Sequence, residues 1–228
     1  MRCAPSSACP GAAVRVDIKF CGMTREEDVA LAVSLGAAYV GVIFAAGARQ
    51  VSPARAASVL AAARGAAARV GVFVEHTDDE IARAAHDAAL DIVQLHGGVT
   101  AGRVRALRQR LALPVWAVVR VRDATSLAAV ATLDGVADGV LLDSFTEGRG
   151  GGTGTPFDWR LAAGAQRPRH ALFIAAGGLD PDSVATAVRV LSPGVVDVSS
   201  GVERAPGIKD HDRMRAFAAA VRQATGEP

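Results

Sequence analysis

The chain reads as an α/β protein, a single (β/α)8 TIM barrel, on three observations. Eight short apolar runs alternate with amphipathic segments at intervals of roughly 20–35 residues, the signature of parallel strands joined by helices. Eight such units in 228 residues fit a compact barrel, somewhat below the usual ~250. A doubly wound sheet needs fewer strands and carries a glycine fingerprint after its first strand. Here Gly22 stands alone at that point, and the run Gly148 to Gly154 lacks the G-x-G-x-x-G spacing and follows the sixth strand.

In chain order, residues 1–13 form a Pro/Ser/Ala-rich leader, expected to be frayed, and residues 14–228 form the barrel. The expected strands are Val16–Cys21, Tyr39–Phe44, Arg69–Val74, Ile92–Leu95, Val115–Val119, Gly139–Asp143, Leu172–Ala175 and Val195–Val198. Helix starts between them are marked by caps. Thr24 with Glu27 and Thr77 with Glu80 have capping-box spacing. Ser52-Pro53 and Asp180-Pro181 place a capping side chain before a proline at the first helical position. The last helix carries Met214, Phe217, Ala218 and Val221 on one face.

Half of the residues are apolar, enough for a large core and against disorder. The net charge is +2 and the arginines are dispersed; Arg103, Arg105, Arg108 and Arg110 interleave with Val104, Leu107 and Leu111, as on a solvated helix face. Nucleic-acid binding gains no support from this pattern. Three cysteines, Cys3 and Cys9 in the leader and Cys21 in the first strand unit, give neither a disulfide framework nor metal-ligand spacing. The leader lacks the apolar core of a signal peptide, and no apolar run is long enough to span a bilayer. A cytoplasmic protein without membrane contact is expected.

A parallel barrel gathers its chemistry at the carboxyl ends of its strands, so the polar residues that close the strands share one rim. Cys21 ends the first, Gln94 and His96 the fourth, and Asp143 the sixth. A buried thiol is either a small hydrophobe or a reactive group. Asp143 follows Val140-Leu141-Leu142, a setting that suits a general acid, while the plain alternative is a loop or cap hydrogen bond. His96 reads either as a site residue or as a polar residue packed on the rim. Gly177-Gly178 after the seventh strand and Ser199-Ser200-Gly201 after the eighth let backbone N–H groups approach an anion, as a phosphate site requires. The Gly-rich segment 144–157 reads as a cover over the site. Lys19 and Cys21 share one side of their strand, and Asp197 on the neighbouring eighth strand faces Lys19. A buried pair there is structural first, and an ammonium that close also acts on the thiol.

The motifs Lys19-Phe20-Cys21-Gly22-Met23-Thr24, Arg49-Gln50-Val51-Ser52, Gln94-Leu95-His96-Gly97, Leu142-Asp143-Ser144, Gly151-Gly152-Thr153-Gly154, Ala176-Gly177-Gly178-Leu179 and Asp197-Val198-Ser199-Ser200-Gly201-Val202-Glu203 follow one another in order. Over residues 16–222 the chain resembles the phosphoribosylanthranilate isomerase family of tryptophan biosynthesis. The resemblance implies a cofactor-free, metal-free Amadori rearrangement of a small phosphosugar, N-(5-phosphoribosyl)anthranilate. It maps the general base to Cys21, the general acid to Asp143, and the anthranilate carboxylate's partner to Arg49. Phosphate is implied to sit on Gly177, Gly178, Ser200 and Gly201 with help from Gly152, with Gln94 and His96 lining the substrate. Monomer and homodimer both accord with it. Two departures stand out. The segment Phe44 to Arg49 is about one residue shorter than the family usually has, which bears on the reach of Arg49. The fifth-strand position where relatives carry Lys or Arg falls at Trp116-Ala117 or at Arg120. The rival readings are a related phosphosugar isomerase of broader range and a catalytically silent phosphate-binding barrel.

Overall fold

The structure, a computed structural model, describes residues 15–144 and 167–226. Eight parallel strands close on themselves in sequence order: β1 (Asp17–Phe20), β2 (Tyr39–Ile43), β3 (Ala68–Phe73), β4 (Ile92–Leu95), β5 (Val115–Val121), β6 (Gly139–Ser144), β7 (Leu172–Ala175) and β8 (Val195–Val198). Closure is made by β1 against β8, with Lys19 opposite Asp197 and Phe20 opposite Val198. The described helices are α1 (Glu26–Ser34), α2 (Pro53–Val59), α3 (Asp78–Asp87), α4 (Ala101–Leu111), α5 (Ala128–Leu133), α6 (Val184–Leu191) and α7 (His211–Thr225). A small antiparallel hairpin, β9 (Glu203–Ala205) and β10 (Ile208–Lys209), lies between β8 and α7. The leader and Gly152 fall outside the described residues, as does most of the Gly-rich segment that follows β6.

Strand parity divides the apolar residues into two cores. Outward-facing residues pack against the helices: Phe20, for example, meets Phe217 of α7 at 5.9 Å, and Met214, Phe217, Ala218 and Val221 are all buried on the face that the helical spacing marks. Inward-facing Val70, Ile92, Val118, Leu141, Ile174 and Val195 fill the barrel. Its amino-terminal end is plugged by Trp116, whose ring meets Tyr39 edge-on at 4.9 Å. Gly139 makes room for that indole, since a Cβ there would stand 2.6 Å from Trp Cδ1. Trp116 therefore belongs to the plug, whereas Arg120 reaches the opposite rim and donates to the His96 carbonyl at 3.3 Å.

The caps at Ser52 and Thr77 form, the latter as a reciprocal box with Glu80. Thr24 does not cap α1: the helix starts one residue later from Arg25, and the Thr24 hydroxyl donates to the Gly207 carbonyl of the hairpin turn. Three acidic residues in the first turn, Glu26, Glu27 and Asp28, compensate the helix dipole instead. Asp180 caps the turn before α6 rather than the helix itself, accepting from the N–H groups of Asp182 and Ser183. Not all of the α4 arginines are simply solvated. Arg103 and Arg108 are half-buried and bind Asp78 and Asp138 at 2.8 and 2.6 Å. No helix among the described residues is long and apolar enough to cross a membrane.

Candidate active site

The two-residue period of the strands sends Lys19 and Cys21, Gln94 and His96, Arg120, Asp143, Asp197 and Ser199 to the inside of the barrel at its carboxyl end. Parallel strands buried on both faces have no ordinary use for charge. Yet Lys19 is fully buried and Asp197 8% exposed.

Lys19 Nζ lies 2.7 Å from Asp197 Oδ2. Burial alone would push the ammonium down, but the Asp197 carboxylate and the Cys21 sulfur outweigh it and hold the Lys19 pKa above its ordinary value. Gly41 on β2 leaves space for both side chains, because a Cβ there would stand 2.9 Å from Cys21 Sγ and 3.3 Å from Lys19 Nζ. The thiol itself is pushed up by burial; Lys19 and Lys209 pull it down and Asp197 opposes them. The ammonium acts on the thiol in the expected direction but does not bring it below its free value. The cations are present, but desolvation is the larger effect.

Across the mouth, His96 Nε2 lies 3.1 Å from Asp143 Oδ2. The apolar wall expected around Asp143 is broken on this side by the imidazole. Asp197 links the two halves: burial raises its carboxyl, Lys19 pulls it down, and the charges of Asp143 and His96 both reach it. Three buried polar atoms on the inner face, Gln94 Oε1, Asp197 Oδ1 and Ser199 Oγ, have no hydrogen-bond partner among the described residues. Unpaired buried acceptors are costly in a folded protein, so together they mark a place built for a polar ligand.

Arg49 follows β2 in a loop tied by Val51 N–H to the Ile43 carbonyl and by Gln50 Nε2 to the Phe44 carbonyl. Its stem lies over Gly22, which adopts φ +70°; a Cβ there would stand 2.9 Å from Arg49 Cδ and 2.8 Å from Ser199 Oγ. The guanidinium is held by Glu203, with Nη2 at 2.6 Å from Oε2 and Nε at 2.9 Å from Oε1. Lys209 Nζ binds the same carboxylate at 2.9 Å and the Ser199 carbonyl at 3.0 Å. Glu203 enters the sequence pattern only as the last residue of a motif, and Lys209 is not singled out there. No periodicity marks them, because both sit in a two-stranded hairpin outside the barrel pattern.

Gly177 and Gly178 adopt φ +83° and +68°, and Ser200 and Gly201 open a 3-10 turn. A side chain at Gly201 would run into the Leu179 carbonyl, so the loops after β7 and β8 touch there. The backbone N–H groups of Gly177, Gly178, Ser200 and Gly201 donate to no other described residue. Free N–H groups from two adjoining loops suit an anion.

A family model described as N-(5'phosphoribosyl)anthranilate (PRA) isomerase matches residues 18–220. The N-(5'-phosphoribosyl)anthranilate isomerase of Paramagnetospirillum magneticum is 42% identical, over 91% of this chain and 97% of its own. That of Paracoccus denitrificans is also 42% identical, over 90% and 96%. Among solved structures, the phosphoribosyl anthranilate isomerase of Thermotoga maritima superposes with a TM-score of 0.80 at 34% identity, covering 92% of this chain and 99% of that one. Another isomerase structure, in complex with reduced 1-(o-carboxyphenylamino)-1-deoxyribulose 5-phosphate, gives 0.77 at 32% identity, covering 92% and 99%.

Proposed function

The chain belongs to the N-(5'-phosphoribosyl)anthranilate isomerase family, and from that premise we propose that it rearranges N-(5'-phosphoribosyl)anthranilate to 1-(o-carboxyphenylamino)-1-deoxyribulose 5-phosphate in tryptophan biosynthesis. Asp143 is the general acid: it protonates the furanose ring oxygen as the bond from that oxygen to C1 breaks, leaving a protonated imine. The imine acidifies the hydrogen on C2. Cys21, as thiolate, removes that proton, and the resulting enolamine tautomerises to the aminoketose. The Lys19, Lys209 and Arg49 charges that reach Cys21 favour the thiolate against the desolvation that disfavours it.

Phosphate rests on the N–H groups of Gly177, Gly178, Ser200 and Gly201, and Arg49 receives the anthranilate carboxylate. Gln94, His96 and the Lys19–Asp197 pair line the sugar between acid and base. The observation that carries the reading is the set of inward polar atoms without partners among the described residues, Gln94 Oε1, Asp197 Oδ1 and Ser199 Oγ, at the mouth that also holds Cys21 and Asp143. A polyhydroxy sugar is what such acceptors suit. The test is incubation of the purified protein with freshly prepared N-(5'-phosphoribosyl)anthranilate, followed by loss of substrate fluorescence with and without EDTA. Enzyme-dependent loss that persists in EDTA is expected. A rate no faster than spontaneous decay contradicts the proposal.

A further inference from the structure

Resting on the reading above, we propose that Glu203 is a positioning residue for the substrate: it fixes the guanidinium of Arg49 where the anthranilate carboxylate is received, and Lys209 keeps that guanidinium's charge available. Glu203 opens β9 immediately after the 3-10 turn Ser200–Val202, so its backbone is tied to the phosphate loop. Its side chain is only 4% exposed, and both oxygens are taken. Oε2 accepts from Arg49 Nε and Nη2 at 3.1 and 2.6 Å, while Oε1 accepts from Arg49 Nε and Lys209 Nζ, each at 2.9 Å. A fork of this kind locks the plane of a guanidinium that four rotatable bonds would otherwise leave loose. It occupies the Nε–Nη2 edge and leaves Nη1 with no partner among the described residues.

The charges support the same assignment. A lone Glu203 would neutralise Arg49 and weaken its attraction for a second carboxylate. Lys209, 1% exposed, adds a second cation, so that Arg49, Glu203 and Lys209 together retain one positive charge. Burial acts to raise the Glu203 carboxyl, yet Arg49 and Lys209 hold it below its ordinary value, keeping the carboxylate ionised for the fork.

The experiment compares wild type with Glu203→Gln on two substrates, N-(5'-phosphoribosyl)anthranilate and N-(5'-phosphoribosyl)aniline, which lacks the carboxylate. Glutamine keeps the size of the side chain but loses the charge and the bidentate fork. The expected result is a rise in KM for the anthranilate of about tenfold with kcat within about threefold, and no change in KM for the aniline. Glu203→Asp keeps the charge and serves if the glutamine variant does not fold; it should show the same ordering at smaller amplitude. A lowered KM for the anthranilate, as when a competing carboxylate is removed, overturns the proposal. So does a lowered Tm with KM unchanged, the mark of a purely structural clamp, or an equal rise in KM on both substrates. If wild type itself turns over neither substrate, the functional reading fails as a whole, which is distinct from an active enzyme whose KM ignores Glu203.

Discussion

Lys19→Met removes the cation of a pair whose two charges are 2.7 Å apart, with side chains 0% and 7% exposed. Among the described residues it leaves Asp197 with neither carboxylate oxygen paired, since Oδ1 has no partner there already. Removing one partner of a buried pair costs about 3–5 kcal/mol. A domain of this size loses ~2–4 °C of Tm per kcal/mol, so thermal denaturation should fall by about 6–20 °C. The loss should depend on pH. Burial already raises the Asp197 carboxyl, and without Lys19 pulling it down the folded-state pKa rises further above the unfolded value of ~3.9. Between those two values the folded variant keeps a proton that the unfolded chain has lost, so its stability falls as pH rises through the window. The gap to wild type should therefore be narrower at about pH 5 than at about pH 8. Lys19→Met combined with Asp197→Leu removes the stranded carboxylate and should recover most of the Tm. A Tm within about 3 °C of wild type, or a double variant no more stable than the single one, would refute the reasoning.

Arg49→Lys keeps the charge but cannot form the fork with Glu203, so KM should rise about tenfold with kcat little changed, measured by steady-state fluorescence. Gly201→Ala forces a Cβ into the Leu179 carbonyl and must part the loops after β7 and β8. KM should rise and inorganic phosphate should inhibit the variant more weakly than wild type. Because burial, opposed by Lys19, holds the Cys21 thiol above its ordinary value, kcat/KM should still climb with pH at about pH 8. A profile that is flat from neutrality upward would contradict that assignment.

The barrel was legible because parallel strands buried on both faces are near-continuous apolar runs, and because glycines, prolines and capping residues punctuate them. Strand parity alone also placed Lys19, Cys21 and Asp197 on one inner surface. What parity does not reach is tertiary. Thr24 has the spacing of a cap, but the hairpin turn at Gly207 takes its hydroxyl. Glu203 and Lys209 lie in a hairpin with no repeat to announce them, and their meaning comes from Arg49, 154 residues away in sequence from Glu203. The thiol's upward shift is likewise a balance of burial against three nearby cations, which residue types read one at a time do not disclose.

The central claim is that Cys21 and Asp143 divide the proton transfers of one isomerisation. It is tested most directly by single-turnover rates of Cys21→Ser and Asp143→Asn on N-(5'-phosphoribosyl)anthranilate, alongside affinity for the reduced product analogue. The account predicts that each variant loses at least ~10²-fold in rate while binding the analogue within a few-fold of wild type. Wild-type turnover by either variant would contradict it.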